Sequence, residues 1–240
     1  MVQKSKLIFP EISWGIKEAL FAVLVSIAGP IVASIGIGYA LSSISSISDG
    51  YPLIELYVLL MSFMAQIIML SSVWFLAFHK KKLSLNKLGI KKPDAYLFLR
   101  FVPAAVLLTL LVPVLYSIAI SLLNMNHLQP ASLPESIVSN RVSVLIFATM
   151  AVFVAPFVEE VFFRGFIYPA IANKYGVIVS AVLTSILFGL AHIVAANAII
   201  AFFIGLILVY VYHQTTNLLA PILVHSAFNQ ISVIIIMVSL

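Results

Sequence analysis

The sequence predicts an all-α fold, a polytopic bundle of about seven transmembrane helices with its N-terminus in the cytoplasm. Hydrophobic residues make up 63% of the 240 positions and charged residues only 9%, a balance typical of integral membrane proteins rather than soluble domains. Apolar runs long enough to cross a bilayer recur along the chain. Residues 1–240 are therefore interpreted as a single multi-pass domain of the cell membrane, surrounded by the lipid bilayer.

Charge and cysteine usage exclude several classes of function. Six of the thirteen basic residues lie between Lys80 and Lys92, as expected for a cytoplasmic loop of a membrane protein. The net charge of +5 therefore gives no reason to expect a nucleic-acid partner. The sequence contains no cysteine, which excludes disulfides, thiolate catalysis and cysteine metal ligands.

The first half of the chain contains three predicted spans. The apolar run at residues 19–41 is too long for the core of a signal peptide, so it is interpreted as a retained anchor. Residues 56–78 form the second span, and the basic cluster that follows them indicates the cytoplasmic side. Residues 101–123 form the third, in which Pro103 and Pro113 are tolerated because neighbouring helices can cover the freed carbonyl groups.

The second half contains four predicted spans. The fourth begins near Val142 and carries charged residues in its later part. No Asp, Glu, Lys or Arg follows Lys174. This uncharged remainder is interpreted as three further spans, at residues 177–194, 198–212 and 218–240.

The functional interpretation begins at Glu159-Glu160-Val161-Phe162-Phe163-Arg164, where three charges interrupt a long apolar run. A charged side chain near the centre of a bilayer costs roughly 2.5–3.5 kcal/mol on insertion scales, so three of them require an explanation. On a helix, Glu160 and Arg164 are four residues apart and can pair. Glu159 points about 100° away from Glu160 and has no local cation. This spacing leaves one carboxylate available for chemistry.

Polar side chains in the final spans suggest where that chemistry takes place. His225 and Asn229 are four residues apart and share a helix face. If the fourth and fifth spans form a hairpin about residues 173–176, Glu159 and His192 lie at similar depth. Taken singly, His192 or His225 is explained equally well by hydrogen bonding between helices, and Asn229 is explained better in that way. In combination they favour one polar pocket containing Glu159, His192, His225 and Asn229.

Two chemistries fit such a pocket. A carboxylate and an imidazole within reach of one water molecule can deprotonate it for attack on an amide. A further pair of donors can stabilise the oxyanion, a contribution on the order of 3–4 kcal/mol. Alternatively, Glu159, His192 and His225 match a hydrolytic zinc site in ligand type. These ligands come from three helices and the sequence has no His-Glu-x-x-His motif, so zinc is compatible with the sequence but not required by it.

The polar motifs carry a family resemblance. They are Glu159-Glu160-x-x-x-Arg164, Phe188-x-x-x-His192 and His225-x-x-x-Asn229, in this order on predicted membrane helices. Together they resemble the CPBP family, the CAAX prenyl protease and bacteriocin-processing family of intramembrane proteases. The resemblance covers about residues 150–230, which it implies form the catalytic core.

The resemblance implies an endopeptidase that cuts a peptide or membrane-protein substrate near the cytoplasmic membrane face. It assigns water activation to Glu159 and His192, oxyanion binding to His225 and Asn229, and support of the site to Glu160 and Arg164. Eukaryotic-type members trim prenylated CAAX termini, whereas the short chain favours a bacterial member acting in peptide maturation or bacteriocin self-immunity. The metalloprotease label of the family disagrees with a metal-free glutamate mechanism, and the sequence leaves both open.

Two functions without proteolysis also remain open at this point. One is a non-enzymatic immunity or scaffold protein that binds a peptide or partner helix through the same pocket. The other is a small transporter that uses the intramembrane carboxylates. The sequence shows no internal repeat, and its polar residues cluster late in the chain, both of which count against the transporter.

Overall fold

The computed structural model describes residues 12–45, 51–79, 84–130, 137, 140–192 and 194–238. Regular structure within these residues is helical. Seven long or apolar helices are described: α1 Ile16–Ser45, α2 Tyr51–Val73 (continued by a π-helical turn at Trp74–His79), α3 Ala95–Leu122, α4 Arg141–Tyr175, α5 Val177–Leu190, α6 Ala195–Thr215 and α7 Leu219–Val238. Two short 3-10 turns, Leu85–Leu88 and Asn126–Leu128, lie on either side of α3.

The predicted polytopic helical bundle is confirmed. Six of the described helices, all except α5, are long and apolar enough to cross a membrane. α5 has 14 residues, which gives about 21 Å at 1.5 Å per residue, less than the ~30 Å hydrocarbon core of a bilayer. The seven described helices correspond in order to the seven predicted spans, and the differences lie at their ends.

The start of α3 shows why one of these ends was misplaced. α3 begins at Ala95, ahead of the predicted start at residue 101. Asp94 caps this helix, because its Oδ1 accepts a hydrogen bond from the backbone N–H of Leu97 at 3.1 Å. Hydropathy alone starts the span after Arg100, although this residue is exposed and is easily accommodated in the first turns of the helix.

α4 is the central helix of the bundle, because α1, α2, α5 and α7 all pack against it. Its residues 161–172 are buried without interruption. The largest of these buried side chains include Phe162, Phe166 and Tyr168. The acidic motif therefore leads directly into a continuously buried stretch of α4.

The outer faces of α1 and α3 are apolar and exposed. Leu24 and Ile35 on α1, and Leu107 and Leu115 on α3, are each more than half exposed. Contiguous apolar surface of this extent is unusual on a soluble monomer and is the expected surface of a helix that contacts lipid. These faces agree with the multi-pass membrane assignment.

Two π-helical segments interrupt α4 on either side of the acidic pair. Met150–Val154 and Val161–Ile167 flank the α-helical stretch Ala155–Glu160. Such segments are rare and occur frequently at functional sites. In the second segment, the Phe166 carbonyl accepts a hydrogen bond from Trp14 Nε1 at 2.8 Å, so a residue preceding α1 satisfies a backbone group of the irregular turn.

The connection between α2 and α3 closes one end of the bundle. The backbone N–H of Leu218 donates to the Gly89 carbonyl at 2.8 Å, and the Asn217 side chain donates to the Lys91 carbonyl at 2.9 Å. Gly89 has a φ of +89°, and a Cβ added there would lie 2.8 Å from Tyr212 Oη, so glycine is required. This end carries the basic connection that the sequence predicts to be cytoplasmic.

Candidate active site

The predicted ion pair within α4 is present and completely buried. Arg164 Nη1 donates to Glu160 Oε1 at 2.8 Å, and both side chains have zero exposure. Arg164 Nη2 donates to the Gly205 carbonyl on α6 at 3.1 Å. The guanidinium carbon also lies 4.4 Å from the centre of the Phe188 ring on α5, a favourable cation–π distance. Arg164 therefore ties α4 to both α5 and α6.

Glu160 has a second partner, which fixes the orientation of an imidazole ring. His225 Nδ1 on α7 lies 3.0 Å from Glu160 Oε1. An ionised carboxylate only accepts hydrogen bonds, so Nδ1 carries a proton and donates it. Because Nδ1 is used in this way, Nε2 is the nitrogen of His225 that remains for other partners.

Glu159 is held more loosely than Glu160 and is partly accessible. Its side chain is 16% exposed, and Oε2 lies 3.9 Å from His225 Nε2. Gln66 Nε2 on α2 donates to Glu159 Oε1 at 3.3 Å, which is long for a hydrogen bond. Arg164 on the same helix interacts electrostatically with Glu159 but forms no ion pair with it among the described residues. The nearest partners of Glu159 come instead from α2 and α7.

His192 joins this group of residues through Phe188. His192 follows the end of α5, and its Nδ1 lies 2.9 Å from the Phe188 carbonyl. A carbonyl only accepts, so Nδ1 donates and Nε2 is left with its lone pair when the ring is neutral. The Phe188 ring makes edge contacts with both imidazoles, with centroid distances of 5.1 Å to His192 and 5.6 Å to His225. The structure therefore brings His225 to Glu159 directly and His192 to the same neighbourhood through one aromatic ring.

Asn229 lies one turn after His225 on α7 and contacts the first π-helical segment. Its Nδ2 donates to the Ala151 carbonyl at 2.7 Å. This bond satisfies a carbonyl of the irregular turn and uses one of the two amide hydrogens, which leaves one N–H and the amide oxygen for another group. His225 and Asn229 therefore share a face of α7, as predicted, and this face packs against α4.

The position of the site along the bundle follows from Gly165. A Cβ at this residue would lie 3.3 Å from Leu218 Cδ2 and 3.4 Å from the Leu88 carbonyl, so Gly165 lies at the end closed by the basic connection. Glu159 is about 9 Å further along the helix at 1.5 Å per residue. The carboxylates therefore lie inside the bundle, nearer to its basic end.

The residues present do not form a ready metal site. Among the residues that the structure describes, the His, Asp and Glu side chains form no group of three or more that could hold a metal ion. Glu159, His192 and His225 have the right donor types for zinc, but of these three side chains only Glu159 and His225 are in contact.

The sequence analysis did not identify Gln66 as a neighbour of Glu159. Its signal was a single amide in the middle of an apolar span, which is common for residues that only join helices.

The fold and the site define a class of protein: a multi-pass helical membrane protein with a buried Glu–Arg–His group and a second, partly accessible carboxylate beside it. Residues 141–231, which run from the start of α4 into α7, match the family model of Type II CAAX prenyl endopeptidase Rce1-like proteins. This match confirms the resemblance to the CPBP and CAAX family of intramembrane proteases, and it supports protease activity at the level of the family. The matched segment contains all seven residues named in the three motifs. Comparisons with curated proteins and with solved structures gave no match.

Proposed function

We propose that this protein is an intramembrane endopeptidase that hydrolyses a peptide bond near the cytoplasmic membrane face, with water activated by Glu159 and His192. The main support for the proposal is that two adjacent glutamates differ in how closely their partners bind them. Glu160 accepts bonds of 2.8 Å and 3.0 Å from Arg164 and His225. The partners of Glu159 lie at 3.3 Å and 3.9 Å. Glu160 is therefore occupied by two close partners, and Glu159 is the carboxylate that is left to take a proton from water.

His192 is the proposed partner of Glu159 in handling the water molecule. Its Nδ1–H is directed to the Phe188 carbonyl, which fixes the ring and leaves Nε2 as the acceptor of a neutral imidazole. An acceptor of this kind can align an attacking water or return its proton to the leaving amine. The fixed tautomer supports this role, because a ring with a defined free nitrogen requires no reorganisation before reaction.

His225 and Asn229 are the proposed donors to the oxyanion. His225 donates from Nδ1 to Glu160, so in this role it also carries a proton on Nε2 for the developing negative charge. Asn229 has one amide hydrogen left after its bond to the Ala151 carbonyl. Both side chains are anchored before substrate arrives, and anchored donors are the ones that stabilise a transition state most.

The position of the site favours cleavage on the cytoplasmic side. The carboxylates lie about 9 Å from the end of the bundle that carries the basic connection between α2 and α3, and basic connections are retained in the cytoplasm. Water and an extended substrate can enter over that distance more readily than from the bilayer centre. CAAX-type processing is the substrate class that the family match favours, and peptide maturation and bacteriocin self-immunity would use the same hydrolysis.

The proposal is tested with the full chain reconstituted in liposomes. The probe is a quenched fluorescent peptide carrying a farnesyl thioether on the cysteine of a C-terminal CAAX sequence. Glu159→Gln is expected to reduce cleavage by about 10²- to 10⁴-fold, the usual contribution of a general base. His192→Gln is tested in the same assay and is also expected to reduce cleavage. Its control is His127→Gln, because His127 is exposed in the 3-10 turn Asn126–Leu128. Cleavage at the wild-type rate by Glu159→Gln would exclude the mechanism and would favour a binding or scaffold function for the pocket.

A further inference from the structure

Gln66 is the contact to Glu159 that lies outside the motifs and outside the matched segment. It is located in the apolar α2, and its Nε2 donates to Glu159 Oε1 at 3.3 Å. No other hydrogen bond to a Glu159 oxygen is formed within the residues that the structure describes, since the His225 contact at 3.9 Å exceeds hydrogen-bonding distance. The orientation of the Glu159 carboxylate therefore depends on a residue from α2.

The pattern of bonds at Gln66 differs from that of a residue that only joins helices. Its Oε1 is buried and accepts no hydrogen bond from the described residues. An unsatisfied amide oxygen in an apolar span costs free energy. A leucine of similar volume at this position would avoid that cost. The presence of an amide at this position is therefore explained by its Nε2–H group, which donates to Glu159.

We propose that Gln66 is a positioning residue, which holds the Glu159 carboxylate toward His225 and the reacting water. This inference rests on the proposed function, because it assigns to Gln66 an effect on the reaction that is exerted only through Glu159. Without the bond from Nε2, the Glu159 side chain regains its rotamer freedom. A displacement of about 1 Å at a reacting group can cost about a hundredfold in rate, so even a single long hydrogen bond is significant here.

The experiment compares Gln66→Leu with wild type in liposomes, using the same farnesylated peptide. We expect kcat to fall about ten- to hundredfold with KM nearly unchanged, because the bond affects the reacting carboxylate and not substrate binding. Ser62→Ala is the matched control. Ser62 lies one turn away on α2 and is exposed. Among the residues that the structure describes, its hydroxyl bonds only to the Val58 carbonyl of its own helix, at 2.9 Å. This control is expected to keep the wild-type kcat and KM.

A double-mutant comparison separates positioning from general packing. If Gln66 acts through Glu159, adding Gln66→Leu to Glu159→Gln leaves the residual rate of Glu159→Gln unchanged. If Gln66 only supports the bundle, the same loss appears in both backgrounds, and the inference is wrong. A wild-type kcat for Gln66→Leu, together with an inactive Glu159→Gln, would refute this inference while leaving the proposed function intact.

Infrared difference spectra provide a second measurement that requires no turnover. The chain has only eight Asp and Glu residues, so the carboxylate band that disappears in Glu159→Gln can be assigned to Glu159. In Gln66→Leu this band is expected to shift, because its hydrogen bond is lost. In Ser62→Ala it is expected to stay in place. An unshifted band in Gln66→Leu would show that the contact is not formed and would overturn the proposal.

Discussion

Removing the cation of the buried ion pair should destabilise the protein more than most single substitutions. In Arg164→Met, the side chain keeps its length and loses its bonds to Glu160 at 2.8 Å and to the Gly205 carbonyl at 3.1 Å. Of its partners among the described residues, the buried Glu160 then keeps only His225. Breaking a buried pair from one side costs about 3–5 kcal/mol. For a chain of this size, that loss corresponds to a decrease in Tm of roughly 6–20 °C.

A second variant shows whether the cost comes from the unpaired charge. In Arg164→Met with Glu160→Gln, both charges are removed, and the new amide oxygen can still accept a bond from His225 Nδ1. Replacement of a whole buried ion pair is often neutral or stabilising. The double variant is therefore expected to recover about 2 kcal/mol or more relative to Arg164→Met alone.

The measurement is thermal unfolding of each purified variant in the same detergent, followed by fluorescence and size-exclusion chromatography. Arg100→Met is the control, because Arg100 is exposed near the start of α3 and should change Tm little. Two results would refute the reasoning. One is an Arg164→Met variant that unfolds at the wild-type temperature. The other is a double variant that is no more stable than the single one.

Two further predictions concern helix packing and metal dependence. Gly205→Ala should cost about 1–3 kcal/mol, because its Cβ would lie 3.1 Å from Ser185 Cβ, whereas Gly36→Ala, with nothing within 4 Å, should leave the Tm unchanged or slightly raised. Equal Tm values for the two variants would contradict the close contact. Exhaustive chelation should leave cleavage of the farnesylated peptide unchanged, since the described donors form no three-ligand group. Loss of activity that added zinc restores would instead establish a metal mechanism.

Contacts within one helix were predictable from the sequence. The i, i+4 spacing of Glu160 and Arg164 is a local property, and the pair forms as predicted. The same spacing places His225 and Asn229 on one face of α7, and both contact α4. Hydropathy likewise located the spans to within a few residues in most cases, because the bilayer thickness sets the length of apolar sequence that each requires.

Contacts between helices were not predictable in the same way. Sequence spacing carries no information about which helix faces Glu159, and the interhelical angles that bring Gln66 and His225 to it depend on packing of the whole bundle. The π-helical segments on both sides of the acidic pair have no clear composition signal either. They change the rotation of α4 relative to an ideal helix, so a direction computed from 100° per residue is only approximate.

One imidazole connects the stability of the bundle to its proposed chemistry. His225 has Nδ1 at 3.0 Å from Glu160 and Nε2 at 3.9 Å from Glu159, so its orientation is set by the buried pair and presented to the accessible carboxylate. Adjacent positions on a helix face different neighbours, which allows one glutamate to serve as a fixed anchor while the other exchanges a proton. It follows that a stably folded Arg164 variant should still lose activity, because Glu160 keeps its bond to His225 but, without the bond from Arg164, can shift and move the imidazole with it. Full activity in such a variant would mean that the anchor and the reacting group are independent.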